Sequence, residues 1–371
     1  MGLKSPYCHH FQEGEMKRYS RHIALNEIGI KGQNKISNAK VLVIGAGGLG
    51  CPSLQYLAAA GIGTLGIVDF DEVEESNLQR QVLYGKSSLG INKAIAAKKR
   101  LQDLNDSICI NAYPYKLTSL NALELFKAYD IIVDGTDNFQ SRYLICDASI
   151  ISNRPVVFGS IYKFEGQVSV FNYQNGPTYR CLFPKHPSPE EALNCSDIGV
   201  LGVLPGIVGS VQANEVLKII LEFKEVLSGK LYCYNAKTYA SQTISIKKNV
   251  QVFSQVKEMP LKEIQIQICP NKNNEISIEE AIQKENSLFL DVRELNEKPS
   301  LPIHNYQRIP LNKVAKNLDK INPKKEIIVF CQSGIRSKYA VQILRENNFN
   351  KTYSLSDGAT ALLKQLKKTE K

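Results

Sequence analysis

The clearest pattern of apolar and polar positions lies at residues 40–70, KVLVIGAGGLGCPSLQYLAAAGIGTLGIVDF. Two apolar runs flank a glycine-rich turn and a segment with helical periodicity. Short apolar runs bounded by turn residues indicate buried strands, and the segment between them indicates a crossover helix. These residues therefore predict one β-α-β unit. The preceding residues 15–38 predict an amphipathic helical segment.

The alternation of strand-like and helix-like segments continues along the chain. Residues 129–138 and 154–171 contain further apolar runs, and residues 141–152 between them predict a helix. Residues 200–223 predict an apolar loop that leads into a buried helix. Strands that alternate with helices form mostly parallel sheets with both faces covered. The pattern therefore predicts the α/β class with a Rossmann-like, mostly parallel sheet.

A change of composition divides the chain in two. Residues 247–275 are polar, contain prolines and end in a cluster of Asn and Lys, which is typical of a linker. A second, smaller α/β pattern follows, with its helix-like and strand-like segments at residues 276–285, 288–293, 326–330 and 337–347. We predict a first domain at residues 1–250, a linker at 251–275 and a second domain at 276–371.

The composition is that of a globular protein rather than a membrane protein or a disulfide-rich one. The chain has 371 residues, 43% hydrophobic and 22% charged, and no apolar run is long enough to span a bilayer. Its nine cysteines are scattered and none forms a C-x-x-C pair, which favours reduced thiols. Residues 1–20 lack the apolar segment of a signal peptide. We expect a cytoplasmic protein without a membrane partner.

The formal net charge of +10 indicates either a solvated lysine-rich surface or an anionic ligand. The anionic candidates are a nucleotide, an acidic protein and a nucleic acid. Surfaces that bind nucleic acid combine clustered basic residues with aromatic ones, and the sequence has no such patch. The charge therefore favours a nucleotide or an acidic protein, and we expect no nucleic-acid partner.

A nucleotide site is predicted at the turn of the first β-α-β unit. Gly45, Gly47 and Gly50 form G-x-G-x-x-G between strand and helix, and Asp69 ends the next strand. The glycines allow a tight turn in which backbone N–H groups approach a phosphate at the helix N-terminus. An acidic residue about 20 positions later accepts hydrogen bonds from ribose hydroxyls. Alone, this motif indicates a nucleotide, with NAD as the usual ligand.

Further polar residues beside this turn indicate chemistry at a phosphate. Arg80 and Lys93 are cations suited to phosphate oxygens, and Asn77 can donate a hydrogen bond without adding charge. Asp134 and Asp137 follow another strand, and a carboxylate that faces bound phosphates usually holds Mg²⁺. Hydride transfer does not need this set. The combination therefore favours a reaction of a nucleoside triphosphate.

The sequence resembles the MoeB/ThiF/HesA family of adenylating enzymes, bacterial relatives of ubiquitin-activating enzymes, over about residues 15–245. The resemblance is carried by residues 19–84, by GINKAIAA at 90–97 and by GTDN at 135–138. It implies a homodimer that uses ATP and Mg²⁺. It further implies that the substrate is the C-terminal glycine of a small ubiquitin-like sulfur-carrier protein of the MoaD or ThiS type, which becomes adenylated.

Matching motif positions imply roles for individual residues. The resemblance implies that Asp69 binds the ribose, that Arg80 and Lys93 grip the phosphates, and that Asp137 is the metal ligand. Arg21 matches an arginine that reaches across the dimer into the partner's site. The other positions implied in nucleotide binding are Gly45, Gly47, Gly48, Gly50, Ser76, Asn77, Leu78, Gln79 and Asn138.

Members of this family commonly carry two C-x-x-C pairs that form a structural zinc site. At the first position the sequence is PTYRCLF, with Thr178 in place of a cysteine and only Cys181 remaining. At the second position, residues 249–260 contain no cysteine. Four thiolates form the tetrahedral site and one cannot. We therefore expect no structural zinc.

Two further cysteines are candidates for covalent chemistry. Residues 183–206 resemble the family's crossover loop over the tail of the carrier. Within them, Cys195 matches a cysteine proposed in rhodanese-fused relatives to form an acyl or acyl-disulfide link. A thiolate attacks an acyl-adenylate readily. A half-buried structural cysteine is the alternative interpretation.

The second candidate is Cys331, in EIIVFCQSGIRSKYA, where a predicted strand ends and a short polar loop leads to a helix near Ser337. Backbone N–H groups of the loop, the helix N-terminus and Arg336 favour a thiolate and would cradle a persulfide. With Asp291 and Arg293 in LFLDVRE upstream, residues 276–371 resemble a rhodanese domain in which Cys331 carries sulfur. A cysteine that caps a core strand is the alternative.

Three interpretations of the function stay open at the level of the sequence. The first is adenylation of the carrier followed by sulfur transfer through Cys331, in molybdopterin or thiamine biosynthesis, with a sulfur donor such as a cysteine desulfurase. The second is an NAD-dependent oxidoreductase, which only the glycine turn and Asp69 favour. The third is a carrier-binding scaffold without sulfurtransferase activity.

We expect the purified protein to contain well below one equivalent of zinc, because a single thiolate cannot form the tetrahedral site. Inductively coupled plasma mass spectrometry measures this directly, with a zinc-binding member of the family purified in parallel as the control. One tightly held equivalent of zinc per chain would contradict the expectation.

Overall fold

The computed structural model describes residues 17–184, 199–258, 261, 274–284, 286–295, 297–299, 301–332 and 334–369. These residues form two compact units. The first contains the described residues up to 261, and the second contains those from 274 onward.

An eight-stranded sheet forms the centre of the first unit. Its strands are β1 (Lys40–Ile44), β2 (Thr64–Val68), β3 (Cys109–Tyr113), β4 (Ile131–Asp134), β5 (Val156–Tyr162), β6 (Glu165–Phe171), β7 (Lys230–Asn235) and β8 (Ser241–Ser245). Their spatial order is β3-β2-β1-β4-β5-β6-β7-β8. The strands β1 to β5 are parallel, and β6 to β8 continue the sheet in antiparallel fashion. The predicted mostly parallel α/β sheet is confirmed.

Helices cover this sheet on both faces, as strands with continuous apolar sequences require. They are α1 (Ser20–Ile23), α2 (Gly29–Asn38), α3 (Gly50–Ala60), α4 (Lys93–Leu104), α5 (Ala122–Ala128), α6 (Phe139–Ser152), α7 (Tyr179–Leu182), α8 (Leu204–Ile220) and α9 (Val250–Glu258), with 3₁₀ turns at Glu75–Asn77 and Lys86–Ser88. The strand β4 is buried along its whole length, and α3 and α8 pack against each other. Among the described residues, no helix combines the length and the apolar composition needed to cross a membrane.

The register of the parallel strands brings three loops to one level. Ile44 at the end of β1 pairs with Val68 of β2 on one side and with Asp134 of β4 on the other. The glycine turn after β1, Asp69 after β2 and the loop after β4 therefore begin side by side. Open α/β sheets bind their ligands at this edge, where the chain leaves neighbouring strands in different directions.

Helix α9 lies at the start of the stretch that composition assigned to the linker. Its residues Val252 and Val256 are buried, although the surrounding sequence is polar. A helix of nine residues needs only a few apolar side chains to bury one of its faces. The composition of α9 therefore stays close to that of a linker. Residues 259, 260 and 262–273 lie outside the described residues, and the proposed domain boundaries stay a prediction.

A five-stranded parallel sheet forms the centre of the second unit. Its strands are β9 (Glu275–Ile276), β10 (Leu288–Asp291), β11 (Tyr306–Arg308), β12 (Ile327–Phe330) and β13 (Thr352–Leu355), in the spatial order β11-β10-β12-β13-β9. Its helices are α10 (Ile278–Ile282), α11 (Leu311–Val314), α12 (Ile335–Glu346) and α13 (Ala359–Thr369), with a 3₁₀ turn at Leu318–Lys320. Ile327 and Val329 belong to one apolar cluster, and Ile328 and Phe330 to another. The core thus covers both faces of β12, and the predicted second α/β unit is confirmed.

We expect Gly50→Ala to lower the free energy of unfolding by about 2 kcal/mol or more, a size typical of steric conflict in a core. The added Cβ would lie 1.9 Å from the carbonyl oxygen of Gly45. Urea unfolding followed by circular dichroism measures the change.

The matched control is Gly206→Ala in α8, where a Cβ meets nothing within 4 Å. It should leave the stability unchanged or raise it by up to about 1 kcal/mol through helix propensity. Equal unfolding curves for Gly50→Ala and the unmodified protein would refute the packing argument.

Candidate functional site

The glycine turn after β1 has little room for side chains because a second backbone segment lies against it. Gly45 has φ +88°, and a Cβ there would lie 2.8 Å from the carbonyl oxygen of Gly135. A Cβ at Gly135 would lie 2.9 Å from the carbonyl oxygen of Gly45, and one at Gly50 would collide with the same oxygen. At Gly47, by contrast, a Cβ would meet only the Gln81 amide nitrogen at 3.7 Å. Packing thus requires three of these glycines.

A cleft of about 450 Å³ opens beside this turn, within the size range of ligand sites. The predicted nucleotide-binding residues that line it are Gly45, Gly47, Gly48, Asp69, Asn77, Gln79, Arg80, Lys93, Asp137 and Asn138. Three other predicted residues are not among the described residues that line it. Gly50 packs against Gly45, Ser76 is exposed, and Leu78 packs against the apolar core.

Asp69 is a buried carboxylate that ties the glycine turn to the end of β2. Its Oδ2 accepts the N–H of Ala46 at 2.7 Å, and its Oδ1 accepts the N–H of Asp71 at 2.9 Å. Burial raises the pKa of Asp69, while the charge of Lys93 and these two hydrogen bonds oppose the rise. A carboxylate has about four acceptor positions, so two remain for ribose hydroxyls.

Lys93 is a buried ammonium whose position is fixed by its neighbours. Its Nζ lies 3.2 Å from Oδ2 of Asp71. Asn92 caps α4 and donates to the carbonyl oxygens of Asp69 and Asp71 at 3.0 and 3.2 Å. Asp71 was not predicted from the sequence, where its signal is a second acidic residue two positions after the first. Lys93 therefore faces the cleft with its charge already compensated.

The 3₁₀ turn Glu75–Asn77 presents Arg80 to the cleft. The Nη1 of Arg80 donates to the carbonyl oxygen of Ser76 at 3.1 Å. The Oδ1 of Asn77 accepts the N–H of Glu74 at 3.2 Å, and its Nδ2 donates to Oγ of Ser76 at 3.3 Å. The Asn77 amide, expected at a phosphate, is thus engaged in shaping the turn that carries Arg80.

The two acidic residues after β4 have different environments. The Oδ1 of the buried Asp134 accepts the N–H and the hydroxyl of Thr136 at 3.0 and 2.7 Å. Asp137 is exposed in the cleft, and in the described part of the chain no hydrogen bond or ion pair engages its carboxylate. The Oδ1 of Asn138 accepts the N–H of Ser141 at 2.9 Å and so caps α6. Of these two carboxylates, Asp137 is therefore the one available to a metal ion.

Three sequence predictions have a different outcome from the rest. Gly48 lines the cleft and also makes room for Pro205, whose Cβ would lie 3.2 Å from an added Cβ, so its part in nucleotide binding stays a prediction. Arg21 in α1 is exposed and does not line the cleft of its own chain. Its reach into a partner's site stays a prediction. Cys195 lies outside the described residues.

Several residues of the cleft were missed by the sequence analysis. Phe70 and Tyr115 present exposed rings there, and the Nζ of Lys116 lies 5.7 Å from the centroid of the Phe70 ring. Aromatic rings beside a phosphate site suit the stacking of a nucleobase. Arg142 also lines the cleft, although it is buried. The only signal for these residues was their position after parallel strands, at the edge where ligands bind.

The two segments that carry cysteine pairs in the family lie against each other. The Sγ of Cys181 accepts the N–H groups of Thr178 and Asn249, both at 3.3 Å, and lies 3.5 Å from Oγ1 of Thr178. One thiol thus joins the start of α7 to the start of α9. In the ranges that the structure covers, no three His, Cys, Asp or Glu side chains are grouped so that they could hold a metal ion.

Cys331 follows β12 in the second unit and is fully buried. Its Sγ lies 3.8 Å from Oγ of Ser337. Ser337 in turn donates to the carbonyl oxygen of Gly334 and accepts from Ser354, both at 2.9 Å. A Cβ at Gly334, with φ +80°, would lie 2.7 Å from the carbonyl oxygen of Ser356. The loop therefore turns tightly, and α12 begins at Ile335 rather than near Ser337.

Asp291 and Arg293 form a buried pair that reaches this loop. The Arg293 guanidinium donates to Oδ1 and Oδ2 of Asp291 at 2.9 and 2.8 Å, and to Oε1 of Gln332 at 3.2 Å. Tyr306 and Arg308 also donate to Asp291, at 2.7 and 2.8 Å. Burial acts to raise the pKa of Asp291, but these hydrogen bonds outweigh it and the pKa lies below its usual range. The pair braces the residue that follows Cys331.

Arg336, expected as a positive charge beside Cys331, is engaged by another residue. Its Nη1 and Nη2 donate to Oε1 and Oε2 of Glu297 at 2.6 and 2.8 Å. Burial acts to raise the pKa of Glu297, but the bonds from Arg336 outweigh it and the pKa is lowered. The carboxylate compensates the guanidinium charge, so the expected support of a thiolate by Arg336 is weaker than the sequence indicated. The separation of 39 positions along the chain explains why the pair was not predicted.

Known proteins match both units of the chain. The ThiF family model matches residues 19–254, and the model of the rhodanese-like domain matches residues 277–365. A probable molybdopterin-synthase adenylyltransferase of Porphyra purpurea is 39% identical, over 92% of this chain and 91% of the relative. A probable adenylyltransferase/sulfurtransferase MoeZ of Mycobacterium tuberculosis is 38% identical, over 95% of this chain and 94% of the relative. A sulfur carrier protein adenylyltransferase of Thermus thermophilus is 48% identical, over 63% and 89%.

Solved structures share the fold of the first unit. The crystal structure of E. coli MccB with ATP has a TM-score of 0.54 at 21% identity, over 62% of this chain and 71% of that chain. The crystal structure of PaaA has a TM-score of 0.55 at 23% identity, over 67% and 79%. At these identities the likeness shows the fold alone. The family match over more than half of the chain, and relatives that align over almost all of it, show that the chain belongs to the ThiF family and carries a rhodanese-like domain after the ThiF part.

Proposed function

We propose that the protein uses ATP to adenylate the C-terminal glycine of a small ubiquitin-like sulfur-carrier protein of the MoaD or ThiS type. Its second unit would then pass sulfur to the same glycine. The observation that carries the proposal is the cleft, where Arg80, Lys93 and the unengaged carboxylate of Asp137 surround the glycine turn. Relatives named for adenylyl and sulfur transfer align over almost the whole chain.

The carboxylate of Asp137 fits an Mg²⁺ ion that is shared with a triphosphate. Mg²⁺ usually takes one or two carboxylates and completes its shell with phosphate oxygens and water. Asp137 supplies one carboxylate, and Thr136 already occupies an oxygen of the other candidate, Asp134. An ion held there would add positive charge at the phosphate oxygens.

The proposed reaction needs positive charge rather than a base, because the terminal carboxylate of the carrier is deprotonated at neutral pH. One of its oxygens forms a bond to the α-phosphorus while the bond from that phosphorus to pyrophosphate breaks. Arg80 and Lys93 stabilise the charge that accumulates on the phosphate oxygens. The N–H groups at the start of α3 add to this field, and Asp69 holds the ribose. The products are the acyl-adenylate and pyrophosphate.

We further propose a homodimer in which Arg21 of one protomer enters the cleft of its partner. The exposure of Arg21 in α1, together with its absence from the lining of its own cleft, supports this assignment. A cation from the partner would add to the charge around the triphosphate, so activity would depend on dimerisation.

Cys331 is the proposed sulfur carrier of the second unit. A persulfide donor such as a cysteine desulfurase would transfer its outer sulfur to Cys331 and release its own thiol. The persulfide of Cys331 would then attack the carbonyl carbon of the acyl-adenylate, with AMP as the leaving group, to form an acyl disulfide. A second thiol would attack the Cys331 sulfur of this acyl disulfide and release the carrier as a thiocarboxylate. The disulfide left on Cys331 would be reduced by an external thiol before the next cycle. Because Cys331 is fully buried, its loop must open before a protein donor can reach the thiol. A covalent role of Cys195 stays a prediction.

Family membership favours this function over an NAD-dependent oxidoreductase. The same carrier adenylation would serve molybdopterin or thiamine biosynthesis, depending on the carrier. A carrier-binding scaffold without sulfur transfer differs in one respect, the absence of persulfide on Cys331.

We expect Arg80→Ala and Asp137→Ala to lower carrier-dependent ATP–pyrophosphate exchange by at least about a hundredfold, because each removes a charge that acts in the transition state. Exchange of labelled pyrophosphate with a purified carrier protein measures this. The matched control is Lys99→Ala, an exposed cation on α4 that does not line the cleft, which should keep full activity. Full exchange in either cleft variant, with native thermal unfolding, would remove that residue from the mechanism.

We expect Cys331→Ser to abolish persulfide formation and thiocarboxylate production while ATP–pyrophosphate exchange is retained, because the two reactions use different units. Mass spectrometry after incubation with a cysteine desulfurase and cysteine detects the added sulfur. Cys109→Ser, which removes an exposed thiol elsewhere, is the control and should leave both reactions intact. A chain that never acquires persulfide on Cys331 would support the scaffold instead.

A further inference from the structure

We propose that Asp134 and Arg142 form a buried clamp on Thr136, and that this clamp positions Asp137 for the metal ion. Arg142 is then a positioning residue of the adenylation site rather than a ligand of the substrate. The inference rests on the proposed function of the cleft.

The clamp holds all three polar groups of Thr136. Its N–H and its hydroxyl both donate to Oδ1 of Asp134, at 3.0 and 2.7 Å. Its carbonyl oxygen accepts from Nη2 of Arg142 at 3.3 Å. Because a peptide unit is planar, that carbonyl and the N–H of Asp137 move together. Arg142 therefore fixes the orientation of the peptide plane that joins Thr136 to Asp137.

The clamp is buried while the residue that it presents is not. Asp134 is 2%, Arg142 7% and Thr136 9% exposed, whereas Asp137 is exposed in the cleft. The centre of the Arg142 guanidinium lies 5.5 Å from the ring centroids of both Phe139 and Phe158. Two aromatic faces favour a cation and restrict its rotation. The guanidinium thus has one position from which to hold the loop.

Asp134 and Arg142 interact with each other through the threonine. Burial raises the pKa of Asp134, and the charge of Arg142 opposes that rise. Among the described residues no direct ion pair joins the two, so the peptide of Thr136 mediates between them. An unpaired buried charge is costly, which makes the arrangement dependent on both members.

The two ends of the loop are fixed independently of the clamp. Gly135 lies against the carbonyl oxygen of Gly45, and Asn138 caps α6. Between these fixed points only Thr136 and Asp137 remain to be oriented. The clamp determines the first of them, and the carboxylate of the second is left without a partner in the described part of the chain.

The geometry of Arg142 carries an energetic cost. Its Nε is buried and has no hydrogen-bond partner. Such an unsatisfied donor costs about 1–3 kcal/mol, and a shorter apolar side chain would avoid it. The bond from Nη2 to Thr136 and the two aromatic rings favour a guanidinium here in spite of that cost.

A direct contact between Arg142 and the substrate is the competing role, because Arg142 also lines the cleft. The two roles change different quantities. A positioning residue changes the affinity of the site for the metal ion. A ligand of the substrate changes the KM for ATP or for the carrier even when the metal is saturating.

The test is Arg142→Gln, which keeps a hydrogen-bond donor near Thr136 but removes the positive charge and the branched guanidinium group. The probe is Mn²⁺, titrated into the protein with bound α,β-methylene-ATP and followed by electron paramagnetic resonance. We expect the Kd for Mn²⁺ to rise by about tenfold or more, as for other residues that orient a metal ligand. Raising the Mg²⁺ concentration should restore most of the lost exchange activity.

The matched control is Arg154→Gln. The Nη2 of Arg154 donates to the carbonyl oxygen of Lys127 at 3.2 Å and its Nε is likewise unpartnered, but it does not line the cleft. This variant should bind Mn²⁺ like the unmodified protein. Should Arg142→Gln fail to fold, Arg142→Lys keeps the charge without the branched guanidinium group and is expected to show a smaller rise in the same Kd.

Two results would overturn the inference. One is an unchanged Kd for Mn²⁺ in a folded Arg142 variant. The other is a loss of exchange that excess Mg²⁺ does not restore and that appears in the KM for ATP or the carrier. If the unmodified protein binds no Mn²⁺ with the ATP analogue, the proposed function itself fails, which is distinguishable from either result.

Discussion

The site of the first unit depends on one contact, in which the glycine turn after β1 touches the loop after β4. Neighbouring strands lie about 4.8 Å apart, so the loops that leave their ends can meet only where side chains are absent. Gly45, Gly50 and Gly135 meet that condition, each with a backbone oxygen within 3 Å of the position of a Cβ. The contact brings the start of α3 and the carboxylate of Asp137 to the same edge. The cleft exists because these two backbones can approach.

Charge compensation is the second general feature of the chain. Lys93 is paired with Asp71, Arg336 with Glu297, and Arg293 with Asp291. A buried cation without a partner would be costly, so the fold supplies one before any ligand arrives. A phosphate that binds Lys93 must therefore compete with Asp71. The contribution of Lys93 to binding is therefore the difference between its interaction with the phosphate and its interaction with Asp71. It is smaller than the contribution of an ammonium without a partner.

The sequence was sufficient to predict the class of the fold, the glycine turn and the cluster of Asp69, Arg80, Lys93 and Asp137 around it. These follow from short-range patterns, since strand, turn and helix periods and the loops at strand ends are local. The sequence could not show contacts between segments that are far apart along the chain. Arg336 and Glu297 lie 39 residues apart, and Cys181 meets Asn249 across 68. Periodicity within a segment holds no information about such partners.

The sequence also could not distinguish between the two candidate roles of some residues. Gly48 was expected among the nucleotide-binding residues, and it lines the cleft, yet it also makes room for Pro205 of α8. Asn77 was interpreted as a donor to the ligand, yet its amide closes its own turn. In both cases the residue type suited either role. Pro205 lies far from Gly48 along the chain, whereas Asn77 bonds to its near neighbours Glu74 and Ser76, and the residue types alone reveal neither contact.

The contact of Cys181 with Asn249 determines how strongly the start of the following helix, α9, is held. A hydrogen bond contributes about 1 kcal/mol to stability, whereas a structural zinc site contributes roughly 10–16 kcal/mol. A contact made of a few hydrogen bonds opens far more often than a site in which a metal ion is coordinated. Such hydrogen bonds and two buried valines hold α9. The bonds of Cys181 therefore hold the start of α9 less tightly than a coordinated metal ion would hold it.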